Sequence, residues 1–337
     1  MRKQRFTIKH GIMVLIIMLV LLVVIAIMGV NSGKMNLSVY EVFQVLLGNG
    51  TEKQKLIVFE FRLPRIILAV LVGFGMGASG SIMQSLLRND MASPGTLGIS
   101  SGSGLFVLIF VVMFASKGIS SALTLPLLAF VGGMTAAALI FLLSYRRGRD
   151  ISPTGLILTG VALSSGYGAV TTLLTLKLDD TQMEFMQRWS AGSLWGDEWN
   201  YLMVLAPWTL ILLVYVIYKS RILNTLHLGN ETATGLGVAV KKEFLGLSVA
   251  SVALSSGCVA LGGNFFFVGM ISPHMARKLV GPNHKLLLPA SCLSGALLVL
   301  LADTITRTIS LGTEVPTGIV ITVLSTPYFL YLLAKAS

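Results

Sequence analysis

Charge is the scarcest commodity in this chain. Only 14 of its 337 residues are Asp or Glu, 25 are Lys or Arg, and together they reach 12%. A soluble protein of this length cannot stay dispersed on so little charge, whereas a protein that crosses a bilayer many times can. Cysteine is nearly absent. Cys258 and Cys292 both lie inside apolar stretches, so they form no disulfide framework and no metal-ligand spacing, and they say nothing of the redox compartment. There are four histidines, His10, His227, His274 and His284, and no H-E-x-x-H or Cys/His cluster supports a metal centre. The phosphate-cradling pattern G-x-x-x-x-G-K-[ST] is missing too, so the chain does not hydrolyse ATP itself, and any ATPase must be a partner. No cofactor is implied.

What remains is apolar. Hydrophobic residues make up 54% of the chain and the mean hydropathy is +0.83. Glycine, at 35 residues, exceeds its usual share of roughly 7%, as closely packed membrane helices require. The net charge of +11 does not indicate nucleic acid, because the cations sit in short clusters between apolar runs. Those runs fall at about Ile12–Val30, Leu63–Leu87, Leu97–Ala115, Ala122–Tyr145, Thr154–Leu176, Trp199–Tyr218, Phe244–Leu261, Phe265–Ala276, Leu286–Ala302 and Pro316–Leu333. The pattern predicts an all-α polytopic bundle of about ten helices in one domain spanning 1–337, with no separate soluble domain. The Phe265–Ala276 run is short and fits a tilted or half-buried helix. The first run is an anchor and not a signal peptide, since its apolar core is too long and lacks a cleavage site. Val39–Leu47 reads as a short amphipathic helix in the first loop.

Orientation follows from the loops. With a cytoplasmic N-terminus, 16 Lys and Arg fall inside and 9 outside, which obeys the positive-inside rule and leaves both termini cytoplasmic. Ser79-Gly80 before Ser93-Pro94, and Ser256-Gly257 before Ser272-Pro273, hint at two inverted-repeat halves, an arrangement common in transporters.

The stretch from Arg62 to Gly104 organises the rest. It reads R-L-P-R, then a glycine-rich apolar run, then Q-S-L-L-R-N-D-M-A-S-P-G-T-L-G. Pro64 suits the first turn of a helix, and Ser93-Pro94-Gly95 breaks the chain before the next run. These residues resemble the FecCD-type permeases, the membrane subunits of ABC importers for iron–siderophore complexes, haem and cobalamin. The family pattern R-L-P-R, S-G, Q-x-x-x-x-N-P-L-A-x-P-x-x-L-G is met at Arg62 to Arg65, Ser79-Gly80, Gln84, Asn89, Ala92, Pro94 and Leu97-Gly98, with Asp90 and Met91 replacing Pro and Leu. Downstream, Phe267-Val268-Gly269-Met270 with Pro273-His274 and Arg277, then Asp303 to Arg307 and Glu314 to Gly318, are similar as well. Ser325-Thr326 departs from the usual Gly-Ala before Pro327.

The resemblance implies a permease, not an enzyme, in the cell membrane. Its implied partners are a second permease subunit, identical or different, an ATP-binding subunit on the cytoplasmic face, and an extracytoplasmic substrate-binding lipoprotein. The cargo it implies is an iron–siderophore complex, with haem or cobalamin as the alternative. Residues 227–242 are polar, cytoplasmic and too short to span. They resemble the family's L-G-x-x-x-A-x-x-L-G segment, which docks into the ATPase, and the matching residues are Leu228, Gly229, Ala233, Leu236 and Gly237, with Glu231 at an often acidic position. A helix lying on the bilayer surface is the competing reading of the residues alone. Arg62, Arg65 and Arg307 sit outside, where the resemblance implies contact with acidic residues of the binding protein; anchoring in headgroups is the alternative. Thr159, Gly160, Ser164, Ser165 and Gly168 could line a pathway or simply pack helices. Gly98-Ile99-Ser100-Ser101-Gly102 matches the hydrolase pattern G-x-S-x-G, so an intramembrane serine hydrolase is a further reading, though small-residue packing is the simpler one. An ion-coupled transporter fits poorly, because the run centres are almost free of acidic residues.

Overall fold

The computed structural model describes residues 7–31, 37–114, 121–144, 153–194, 198–308 and 315–336. Arg2, Lys3, Arg5, Lys34, Lys117, Arg146, Arg147, Arg149 and Glu314, which entered the orientation or resemblance arguments, lie outside them. In chain order the helices are α1 (Ile8–Asn31), α2 (Val39–Leu46), α3 (Glu52–Leu56), a π-helical turn (Ile57–Arg62), α4 (Leu63–Leu87), α5 (Ile99–Phe114), α6 (Ser121–Ser144) and α7 (Pro153–Thr175). They continue with α8 (Asp180–Ser190), α9 (Trp199–Tyr218), α10 (Ser220–His227), α11 (Asn230–Gly235), α12 (Val240–Gly262), α13 (Phe266–Val280), α14 (His284–Thr308) and α15 (Thr317–Ala336). No strand occurs among the described residues.

Seven of the helical stretches are long and apolar enough to cross a membrane. The remaining expected crossings are α5 and α13, which are shorter at 16 and 15 residues, and α15, which has 20 residues and an apolar stretch over Thr317–Tyr331. At 1.5 Å per residue, the 15 residues of α13 cover roughly 22 Å, less than the hydrocarbon core. The helix nevertheless runs past the apolar run to Val280, because Arg277 and Lys278 suit its last turn, where the helix dipole favours cations.

α4 is the axis of the bundle. Pro64 occupies its first turn, Arg88 caps it in a left-handed conformation with φ 50°, and its amide donates to the Gln84 carbonyl. Helices α12, α13 and α14 all close on it. A Cβ on Gly73 would overlap the Ala296 backbone, one on Gly77 the Ser291 carbonyl, and one on Gly80 the Gly269 carbonyl. Small residues therefore act as close-approach points, which is how helices associate where lipid removes the hydrophobic drive between them. Ser79 Oγ lies 2.8 Å from both the carbonyl and the hydroxyl of Ser251, tying α4 to α12 inside the apolar core. The two serine–proline pairs occupy different local structures, Pro94 a turn and Pro273 a helix interior.

The outer ring is built differently. On α1 only Gly11, Met18, Leu22 and Gly29 are buried, Val14, Leu15, Ile25 and Val30 are half-buried against the core, and the other large apolar side chains are exposed, as expected against lipid. α9 shows the same pattern, with Leu210, Ile211 and Val214 exposed. The short helices carry their own start signals. Ser38 with Glu41, Thr51 with Gln54 and Asp179 with Gln182 each form a capping box, in which two orphan amide donors are satisfied reciprocally.

Candidate coupling and docking sites

Two polar clusters sit at opposite ends of α4. At the Arg62 end, the three arginines singled out above converge. The π-helical turn brings Arg62 inward, where it is 6% exposed and donates from Nη1 to the carbonyl of Val30 at the end of α1. One turn on, Arg65 Nε donates to Asp303 Oδ1 at 3.0 Å, and Arg307 Nε meets Asp303 Oδ2 at 3.0 Å. Asp303 is fully buried, while the Arg65 and Arg307 side chains keep 25% and 15% of their surface. A single carboxylate thus holds guanidinium groups from two helices, one on each oxygen. The three guanidinium groups gathered around one buried carboxylate make a local concentration of positive charge, of the kind that attracts acidic groups. Sequence reasoning matched Asp303 to a motif without giving it a role. The available signal was an Asp and an Arg four residues apart at the end of a span with no other charge after Lys285.

At the Arg88 end lies the 227–242 segment. α10 and α11 do not cross; they lie over the ends of α4, α12 and α14. Ala233 is fully buried and holds α11 down, while Leu228 and Leu236 are each 65% exposed and Glu231 is exposed beside them. Two glycines bound α11, Gly229 with φ +117° and Gly237 with φ +80°, so the chain turns sharply before and after it. Arg88 Nη2 donates to Asn230 Oδ1 at 3.1 Å, and Arg277 pairs with Asp90. Lys219 Nζ donates to Glu243 Oε1 at 2.7 Å, which raises the lysine pKa above its ordinary value. An open cavity of about 630 Å³ separates this segment from α7; Asp90, Thr154, His227 and Arg277 are among its lining residues. Burial, reinforced by Arg277, lowers the His227 pKa below the usual histidine value.

The α7 residues divide between two faces. Thr159 accepts from the Ser144 hydroxyl at 3.0 Å, and Ser164 donates to the Gly160 carbonyl at 2.7 Å where Gly98 comes close. Ser165 is exposed on the other side, with open space at Gly166 and Gly168. The three do not form one polar stripe. The histidines are engaged elsewhere than at Ser100: His10 meets the Leu279 carbonyl at 3.2 Å, His274 packs edge-on against Tyr328, and His284 bonds Ser85 and Asn224. Among the described residues no group of three His, Cys, Asp or Glu is placed to hold a metal ion.

A helical membrane bundle with a charged cluster at one end and an exposed, non-spanning helical segment at the other has the build of a transport protein. Residues 18–335 match the FecCD transport family, and the chain belongs to that family. It is 43% identical over 322 residues to the iron(3+)-hydroxamate import system permease protein FhuG of Bacillus subtilis (strain 168), covering 93% of this chain and 94% of that one. It is 38% identical over 320 residues to the hemin transport system permease protein HmuU of Yersinia pestis, covering 94% of each. Its fold is similar to that of a metal-chelate type ABC transporter solved in an inward-facing conformation, with a TM-score of 0.82, 30% identity, and 96% of this chain and 99% of that one covered.

Proposed function

We propose that this chain is the membrane permease of an ATP-driven importer that carries a ferric siderophore, the hydroxamates being the first class to test. The similarity to an iron(3+)-hydroxamate permease along nearly the whole chain carries the substrate class. The layout of the two ends supports the division of labour. The 228–237 segment, with Leu228, Gly229, Glu231, Leu236 and Gly237 presented and Ala233 as its foot, would contact an ATP-binding subunit. The Arg62, Arg65 and Arg307 end would receive a substrate-binding protein, guanidinium groups being suited to paired carboxylates. The positive-inside distribution supports a cytoplasmic coupling end, with both termini on that side. A second permease subunit would complete the pathway along α7, with Ser165 on the open face and Thr159 and Ser164 setting the packing behind it. Binding, closure and release would follow from movement of helices, with no covalent step in this chain.

Proteoliposomes holding the permease with its ATPase, supplied with the binding protein, should take up radio-iron hydroxamate saturably and only with ATP. Uptake of haem or cobalamin in place of the hydroxamate would overturn the substrate class; uptake without ATP would overturn the importer. Within this system Leu236→Asp should reduce uptake about tenfold or more while the protein still assembles, because Leu236 touches solvent and not the core. Gly237→Asp is the less clean variant, since its left-handed backbone penalises a side chain on its own. Wild-type uptake by Leu236→Asp would refute the coupling assignment. A cysteine at Ser165 should react with a water-soluble thiol reagent at a rate that changes with nucleotide, whereas one at Ser164 should stay protected. The native Cys258 and Cys292 are buried and supply little background. Protection at both positions in every nucleotide state would leave helix packing as the role of this face.

A further inference from the structure

Helices α4, α10 and α14 meet at one buried imidazole. His284 opens α14 and is 1% exposed. Its ring Nδ1 lies 2.7 Å from Asn224 Oδ1 on α10, and its backbone amide donates to the same oxygen at 2.8 Å. An amide oxygen only accepts, so Nδ1 carries the proton, and Nε2 faces the Ser85 hydroxyl on α4, whose single proton is shared between Nε2 and the Ser81 carbonyl 2.8 Å away. Ser85 itself is fully buried. Asn224 Nδ2 in turn donates to Asn283 Oδ1 at 3.1 Å, and Asn283 Oδ1 accepts the Lys285 amide at 3.1 Å. Asn224 therefore caps α14 from a neighbouring helix, satisfying one of the amide donors that a helix start leaves open. The Ser–His–Asn order is that of a hydrolase, but serine and imidazole are sealed inside the protein and no substrate reaches them.

From this geometry we infer that Ser85, His284 and Asn224 form a coupling joint, in which His284 is the positioning residue that makes displacement of α10 displace α4 and α14 with it. The inference rests on the coupling role proposed for 228–237 and deepens it. That segment continues directly from α10, one residue beyond His227, and its exposed leucines are the contact points. Apolar packing between α10 and its neighbours could slide under load; the directional network resists sliding, most of all at the fully buried Ser85–His284 bond, whose loss strands a polar group away from water, while its half-buried Asn224 end ties that bond to α10. The joint also lies on the axis helix. Ser85 is one residue from Gln84, whose amide donates to the Met270 carbonyl of α13 at 2.9 Å, so the same turn of α4 grips a fourth element.

The test uses the whole importer in proteoliposomes and reads substrate taken up per ATP hydrolysed, with the amount of folded complex measured separately. Ser85→Ala and Asn224→Ala should each lower that ratio about fivefold or more, on the scale of ordinary site-to-site coupling. Asn224→Asp should restore it, because a carboxylate still accepts from both the His284 amide and Nδ1. A residue that only stabilised the fold would reduce the amount of complex and leave the ratio alone. An unchanged ratio in both alanine variants overturns the joint, and so does failure of Asn224→Asp to rescue. Should Asn224→Ala not fold, Ser85→Ala, which removes one hydroxyl and no bulk, decides alone. Leu236→Asp separates the two levels of the argument. A wild-type ratio in the joint variants alongside uncoupling by Leu236→Asp refutes the joint only. A lowered ratio in the joint variants supports the joint even where Leu236→Asp is without effect.

Discussion

Gly80→Ala should leave almost no folded protein, whereas Gly168→Ala on α7 should leave it intact. The two substitutions are the same in the sequence and opposite in the structure. A methyl on Gly80 would occupy the place of the Gly269 carbonyl oxygen, and neither backbone can yield. Both α4 and α13 are held at that level by other contacts: Gly73 and Gly77 against α14, and Gln84 on the Met270 carbonyl. Overpacking a relaxed core costs about 1–3 kcal/mol. Here the obstacle is main chain at the centre of the bundle, so a cost at or above the top of that range is expected. Gly168 has nothing within reach of a new Cβ, and alanine is the better helix former by about 0.5–1 kcal/mol. Size-exclusion profiles of detergent-extracted protein after heating would measure the difference. A monodisperse Gly80→Ala protein with an unchanged midpoint would show that the α4–α13 contact is not the closure of the bundle.

The same contact explains which parts of the molecule could be read in advance. α4 spans Leu63–Leu87, the very residues the hydropathy pattern predicts, because Pro64 marks one end and the Arg88-Asn89 polar turn the other. α2 ends within a residue of expectation for a similar reason, Ser38 and Glu41 forming its capping box. α8 has an equally clear start signal in Asp179 and Gln182, but its polar sequence lies outside what hydropathy can detect. The faces of α7 were harder. Small residues stand on all sides of that helix, so spacing alone could not separate Ser164, turned to its own backbone beside Gly98, from Ser165 on the open side. The joints were harder still. Asp303 finds Arg65 across 238 positions, and Ser85 finds His284 across 199. A pairing of that kind is created by which helices neighbour each other, and hydropathy does not carry that information.

Asp303→Asn should destabilise the protein by about 3–5 kcal/mol, the cost of removing one partner from a buried ion pair. Arg65 and Arg307 would then lie close together, with Arg62 nearby, without the Asp303 carboxylate they share. This bears directly on how docking at that end can be tested. Charge reversal at Arg65 or Arg307 would place a second carboxylate against Asp303, so a loss of binding-protein association would report the damaged helix contact as much as a lost docking contact. Neutral variants place no second carboxylate against Asp303, and measuring the amount of folded complex separately accounts for the stability lost with the ion pair. Arg307→Gln removes one positive charge from the cluster, and combining it with Asp303→Asn removes a charge of each sign and returns the net charge to its original value. If the cluster receives the binding protein, the single variant should associate more slowly, with a weaker dependence on salt. The double variant should recover the association rate, since the field is restored, yet dissociate faster by about tenfold, since the guanidinium itself is gone. Headgroup anchoring predicts a different outcome: less inserted protein and unaltered kinetics for the protein that does insert. Surface-coupled binding measurements on nanodisc-embedded complex at two ionic strengths distinguish the cases. Unchanged association and dissociation rates in both Arg307→Gln and the double variant would exclude this cluster from the docking surface.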